Sequence, residues 1–447
     1  MRTEGIGNKI FLIVLLCAAL GLFLYLRPRL FAPEPRATLM DRLPESDILG
    51  RFYVLDVARE TSAMMYYHKV PFRDLASSEF ILSQGKNFGF DIQKPIYFFA
   101  DATGEWGTYV HLADSSRIPK GFQSLSQFTT IRDTVVLECK LKYLPEQKLF
   151  FYYDKDYLFL YHGSKLKTRL SRTIYAKHGE TGRSWKKFNK IKTFRKEKLV
   201  VFSNSEKLHK YGVEYGLFAH DSDSLSFKLK TYVKASNNLK IKMKQPSIAL
   251  AELREAERML NLHLDITEFR KDKNSPLYKW IAEMGRKVSF PTDAFFEAWD
   301  GDLSFHQGGT QLVEEEVVET GYDDEFNITE IRTTKMVPVP GFAVLISVNE
   351  KGKSLVSSLF GKGIITKQGN KYRFLFSPPL KMNILPGSLC AYSSNRSPVL
   401  AQSALCGGVW MYRDTKVTFQ VDSLTKKEVF GSISFPVNHL LRRNKFF

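Results

Sequence analysis

Cysteine is scarce in this chain, with four among 447 residues. That excludes a disulfide-stapled scaffold, which needs dense, paired cysteines. Cys17 lies inside an apolar run; Cys139, Cys390 and Cys406 are scattered. Cys390 and Cys406 either pair in an oxidising compartment or remain two buried thiols. The usual enzyme signatures are missing too. No Gly-x-Ser-x-Gly turn is present to raise a nucleophilic serine. Ser-x-x-Lys starts at Ser83, Ser164, Ser184 and Ser423. About three such matches arise by chance among so many serines and lysines, and the companion motifs are lacking. His178–Ser184, HGETGRS, lacks the Gly-Lys-Ser/Thr ending that cradles nucleotide phosphates. No cofactor is called for.

Charge is absent from one stretch. Ile10 to Leu26 reads IFLIVLLCAALGLFLYL. As a helix, 17 residues rise about 26 Å, enough to span a thin bilayer core. Twelve are Leu, Ile, Val or Phe, which favours insertion by roughly 4–7 kcal/mol. Tyr25 suits the interface, and Arg27 and Arg29 return the chain to water. No Ala-x-Ala cleavage site follows. The expectation is an uncleaved anchor at 1–27, with residues 10–26 in the bilayer. A short tail, one apolar helix and a large domain is the layout of an exported protein, which places the body outside the cytoplasm.

Residues 28–46 hold four prolines, Pro28, Pro33, Pro35 and Pro44, and read as a stiff stalk. The remainder is 44% hydrophobic by overall composition and folded, with a first lobe at 47–245 and a second at 246–447. The net charge of +18 is uneven. Lys165–Lys210 carries 15 Lys/Arg against three Glu, whereas Asp293–Glu330 carries 12 Asp/Glu and no Lys/Arg. Such polarity makes a dipolar surface or two segments facing each other.

Patterning predicts an α+β fold of largely antiparallel sheets with packed helices in two or three related lobes. Strands are read at Arg51–Val57, Lys94–Ala100, Gly107–Leu112 and Thr134–Leu141, with a hairpin at Lys148–Tyr161. Ser224–Met243 alternates apolar and basic residues. Helices are read at Asp74–Gln84, 247–260, Pro276–Lys287 and Lys351–Phe360; SIALAELREAERML, 247–260, has the strongest helix formers. An acidic hairpin is expected from Val313–Val318 and Ile328–Val337, and FAVLISV, Phe342–Val348, is a buried strand. A unit of strand, helix and antiparallel strands recurs about three times.

The phrases GFDIQKPIYFF (Gly89–Phe99), FEAWDGDLSFHQGG (Phe296–Gly309) and PGFAVLISV (Pro340–Val348) resemble a loose family of uncharacterised bacterial envelope-anchored proteins with repeated α+β lobes. The resemblance implies an extracytoplasmic protein of non-catalytic type and supplies no catalytic residues.

Two candidate sites remain. Lys186, Lys187, Lys190, Lys192, Arg195 and Lys196 form a basic cluster beside Trp185 and Phe188. It suits an anionic surface or an envelope protein partner. The aromatics would also allow base stacking, but an exported body rarely meets nucleic acid. Asp300, Asp302 and His306 share parity in AWDGDLSFHQ, so an extended strand points all three one way. Two carboxylates and an imidazole could hold a divalent ion for hydrolysis. The expectation is a non-enzymatic interaction or assembly module; the alternatives are a metal-assisted hydrolase and a ligand-binding receptor.

Overall fold

A computed structural model describes residues 37–67, 85–221, 226–245, 247–251, 256–322, 328–368, 371–374, 380–393, 398–403, 406–412 and 415–436. The apolar run at 10–26 and the helix expected at Asp74–Gln84 lie outside them. No helix among the described residues is long and apolar enough to cross a membrane.

The protein is α+β, with a large antiparallel sheet and few helices. Its first ten strands are β1 (Ile48–Phe52), β2 (Ile96–Ala100), β3 (Trp106–His111), β4 (Arg132–Val136), β5 (Cys139–Leu144), β6 (Leu149–Tyr153), β7 (Tyr157–His162), β8 (Leu199–Ser203), β9 (Val213–His220) and β10 (Ser226–Ala235). They pair in the order 10-9-8-1-2-3-7-6-5-4. Two short strands, β11 (Lys242–Met243) and β12 (Ser247–Leu250), lead to β13 (Ala256–Asp265), β14 (Trp299–Tyr322), β15 (Ile328–Val348), β16 (Ile365–Gln368), β17 (Lys371–Phe374), β18 (Leu380–Leu385) and β19 (Ser388–Tyr392). After β20 (Leu400–Ser403) come β21 (Gly407–Tyr412), β22 (Thr415–Leu424) and β23 (Glu428–Pro436). These pair as 23-22-21-13-14-15-19-18-17-16. Leaving aside β11, β12 and β20, each strand of the second half takes the rank of its counterpart in the first. The halves meet at their last strands, with β10 antiparallel to β23 over nine residue pairs.

Helix placement follows the same scheme. After α1 (Leu39–Arg42), α2 (Val54–Tyr67) connects the first two strands, and α3 (Ile118–Leu125) connects the third to the fourth. In the second half, α7 (Pro276–Lys287) and α8 (Thr292–Ala298) take the first connection and α9 (Gly352–Gly361) the second. The intervening α4 (Leu166–Tyr175), α5 (Arg183–Lys190) and α6 (Glu206–Lys210) belong to the first half, with α4 and α5 between β7 and β8. FAVLISV therefore does not open a third unit. It is the third strand of the second, followed by α9, as β3 is followed by α3.

Both faces of the first half's sheet are buried, which explains the unbroken apolar text of β7, YLFLY. Tyr157, Phe159 and Tyr161 face α4 and α5 with Phe99, Tyr109 and Phe202. Leu158 and Val110 face α3, through Ile118 and Phe122. In the second half α9 covers one face through Leu355 and Leu359. The other is covered by the β12–β20 ribbon, through Leu250 with partly buried Ile248 and Leu400.

Several expectations are corrected. Of the helix expected at 247–260, residues 247–250 and 256–260 are strand: β12 pairs with β20, and β13 lies between β14 and β21. Ladder pairing and burial override helix propensity there. Thr134–Leu141 is broken by a turn at Leu137 and Glu138, both at positive φ, so β4 and β5 form a hairpin. RFYVLDV stops as strand at Phe52 and continues as α2 from Val54. The end of the expected stalk, 37–46, packs on the body: Leu43 is fully buried, and Asp41 accepts from Thr181 Oγ1 at 2.7 Å. Of the two alternatives open for Cys390 and Cys406, the structure has the free, buried thiols.

Candidate functional site

The basic cluster sits on and just after α5. Arg183–Lys190 has apolar side chains only at Trp185 and Phe188, three apart, so they share a face. Both are buried in the core, at 0% and 6% exposure, and cannot stack on bases. The Trp185 indole donates to Pro44 O at 2.8 Å and meets Tyr97 edge-on at 5.9 Å. Burying that face turns the lysines outward. Lys186, Lys190, Lys192, Arg195 and Lys196 are exposed and form no ion pair among the described residues. Lys187 pairs with Glu214 at 2.9 Å and lies over the Tyr215 ring. No ion pair among the described residues joins this segment to the acidic one, so the two do not neutralise each other through direct contacts there.

Asp300, Asp302 and His306 do not form a ligand set. Gly301, at φ +98°, shifts the register between Trp299 and Leu303, so Asp300 loses the parity that Asp302 and His306 keep. Asp302 and His306 are buried while the Asp300 side chain is half exposed. Asp302 Oδ1 accepts from His263 Nδ1 at 2.9 Å, and Oδ2 from Lys244 Nζ at 2.9 Å. The same ammonium reaches Asp300 Oδ2 at 3.0 Å. Burial pushes the Asp302 carboxyl up, but the bonds from His263 and Lys244 outweigh it and hold it below its usual value. The two carboxylates already share an ammonium. No group of three His, Cys, Asp or Glu side chains suited to a metal occurs among the described residues.

The outstanding surface feature is the far part of the β14–β15 hairpin. β14 leaves β13 after Gly308, and β15 reaches β19 only at Ala343. Between them, Thr310↔Pro340 to Tyr322↔Ile328 pair, among the described residues, only with each other, over thirteen residue pairs. At about 3.4 Å per residue this arm extends about 40 Å. Leu312, Val318, Ile328 and Met336 on it are 56%, 52%, 72% and 51% exposed. Leu312 and Val318 share strand parity, and Met336 and Ile328 pair with positions of that same parity, Glu314 and Tyr322. All four therefore lie on one face of the arm. Residues 310–340 contain eight Asp/Glu and two Lys/Arg. The sequence shows the hairpin and its charge, but its apolar stripe needs the register.

Two cavities occupy equivalent places in the two halves. The first, about 530 Å³, lies between α3 and strands β2, β3, β6 and β7, walled by Ile96, Val110, Phe122, Phe151 and Leu158. Asp91 and Thr108 are the polar residues on its wall. The second, about 260 Å³, lies between α8, α9 and strands β14, β15, β18 and β19, walled by Phe295, Leu303, Val344, Leu359 and Met382. Its named walls are wholly apolar.

Comparison with known protein families finds no match, and comparison with curated proteins finds none. Among solved structures, crystal form I of TP0453 is similar at TM-score 0.30 and 10% identity, over 46% of this chain and 81% of that one. Crystal form III of TP0453 gives 0.32 and 8%, over 45% and 81%. Likeness at that level carries no argument about this chain.

Proposed function

We propose that this is a single-pass, membrane-anchored envelope protein whose extracytoplasmic body is a non-enzymatic interaction or assembly module. The apolar run at residues 10–26 supports the anchor, and the exported layout supports the side. The repeated strand order supports reading 47–245 and 246–447 as two related lobes, copies of one unit. The β14–β15 arm carries the functional reading. A ribbon that has only two strands among the described residues is marginal in water, and an exposed apolar stripe along it invites pairing. Four large apolar side chains on one face of an acidic arm suit a partner with an apolar groove and a basic rim. The exposed lysines of the α5 region form a second, electrostatic contact surface for an anionic surface or partner. Contact through it weakens steeply with salt.

The test places a photo-cross-linking residue at Leu312 or Val318 of the full-length protein in its native membrane, with exposed Val399 as a control. The expected result is one defined adduct from the arm positions, absent from the control. It should vanish when the other three of Leu312, Val318, Ile328 and Met336 become threonine. An arm that cross-links to nothing, or as diffusely as Val399, removes the proposal.

A further inference from the structure

We infer that each half holds an alkyl-chain binding site, in the cavity between its sheet and the helix joining its third and fourth strands. This goes beyond the assembly role and does not depend on it. The first argument is recurrence. The two cavities share walls of the same rank, β2, β3, β6 and β7 in one half and β14, β15, β18 and β19 in the other; the first also touches Phe52 of β1 and Val54 of α2, and the second Phe374 of β17. An accidental packing fault has no reason to recur in both halves. Both are apolar recesses partly open to the surface, of about 530 and 260 Å³.

The second argument is the chemistry of the walls. The second cavity offers aliphatic and aromatic side chains only, and the first adds Thr108 and Asp91. Apolar cavities stay dry and take apolar guests. A ligand rich in hydroxyl or amide groups would leave them unpaired on entry. A flexible alkyl chain satisfies such walls, and the larger cavity falls in the ordinary range for ligand sites of about 300–1,000 Å³. The polar end has a place as well. Asp91 is the one charged residue on the named walls, and Lys94, more than half exposed, lies 3.5 Å from its carboxylate. That pair carries no net charge, so the headgroup stays in water beside it and the walls recognise the alkyl chain.

The test uses the full-length protein in vesicles, irradiated with a hexadecanoate that carries a diazirine in its chain. Labelled peptides are then mapped by mass spectrometry. Labels are expected at Phe122–Leu125 and at Leu355–Leu359. Thr108→Phe should lower labelling of the first site about tenfold or more and spare the second; Ala391→Phe should do the reverse. Thr108→Leu and Ala391→Leu are milder fillings, and an unchanged circular-dichroism melt confirms folding of each variant. Competition by free hexadecanoate alone identifies a fatty acid as the guest. Competition by a phospholipid carrying the same chain identifies a membrane lipid. Labels confined to residues 10–26, or unchanged by all four fillings, overturn the inference.

Discussion

Replacing Trp185 tests whether the basic helix is part of the core or a free binding element. The side chain is fully buried, packs against Tyr97 and Phe188 at 5.9 Å each, and donates to Pro44 O. Trp185→Ala leaves a large void and an unmet carbonyl. Such truncations cost about 3–5 kcal/mol, with about 1 kcal/mol more for the lost hydrogen bond. Trp185→Phe keeps most of the ring and should cost about 1–2 kcal/mol. Urea titration of the full-length protein in a mild detergent, followed by far-ultraviolet circular dichroism, measures this. With a slope of about 3 kcal/mol/M, the alanine variant's midpoint falls by more than 1 M and the slope is unchanged. A cost below about 0.5 kcal/mol is that of a surface position. That result would falsify the burial of Trp185 and restore base stacking as a use for this segment.

Two further outcomes follow from geometry and charge. At Gly301, φ is +98° and an added Cβ would lie 1.7 Å from Leu264 O. Gly301→Ala should therefore cost roughly 3 kcal/mol and lower the melting temperature by several degrees. Gly361→Ala, which meets nothing within 4 Å, should be nearly neutral. For acid, Asp41, Glu105 and Asp302 matter most among the buried carboxyls. Burial pushes each up, but hydrogen bonds from Thr181 and Thr38, from Ser164 and Tyr161, and from His263 and Lys244 hold them low. Their folded values lie below the unfolded ones of about 3.9–4.3, so their stabilisation is complete above that range and lost as pH falls through the folded values. Melting temperatures should be flat from pH 7 to about 5 and decline below; a protein that gains stability between pH 5 and 3 contradicts these contacts.

Elements written in short-range chemistry were legible. The Pro276–Lys287 helix has Ser275 as its N-cap, accepting from Tyr278 N, and proline at its first position. The β6–β7 hairpin turns at Asp154, whose carboxylate accepts from Asp156 N at 2.7 Å. What failed depends on partners distant in sequence. SIALAELREAERML has every local mark of a helix, yet Ser247–Leu250 pairs with 400–403, 256–263 with 302–308 and 258–261 with 407–410. Asp300 and Asp302, expected with His306 as metal ligands, instead share one ammonium. Their partner, Lys244, stands on a segment that reads as a plain alternating strand. The cavities have no local signature, because they are set by helices standing off the sheet.

The seam between the halves has a consequence for synthesis. β10 ends at Ala235, but its second neighbour, β23, is made only at 428–436. A chain built from its N-terminus at about 5–20 residues per second therefore leaves one edge of β10 unpaired for roughly 10–40 s. Throughout that interval it is an open template for any passing strand. Lys228, Lys230 and Lys234 stud that strand, and lysines on an open edge repel intruding strands. The alternation of lysine with apolar residues in FKLKTYVK thus acts before folding is complete, guarding the ladder until the last strand arrives to close it.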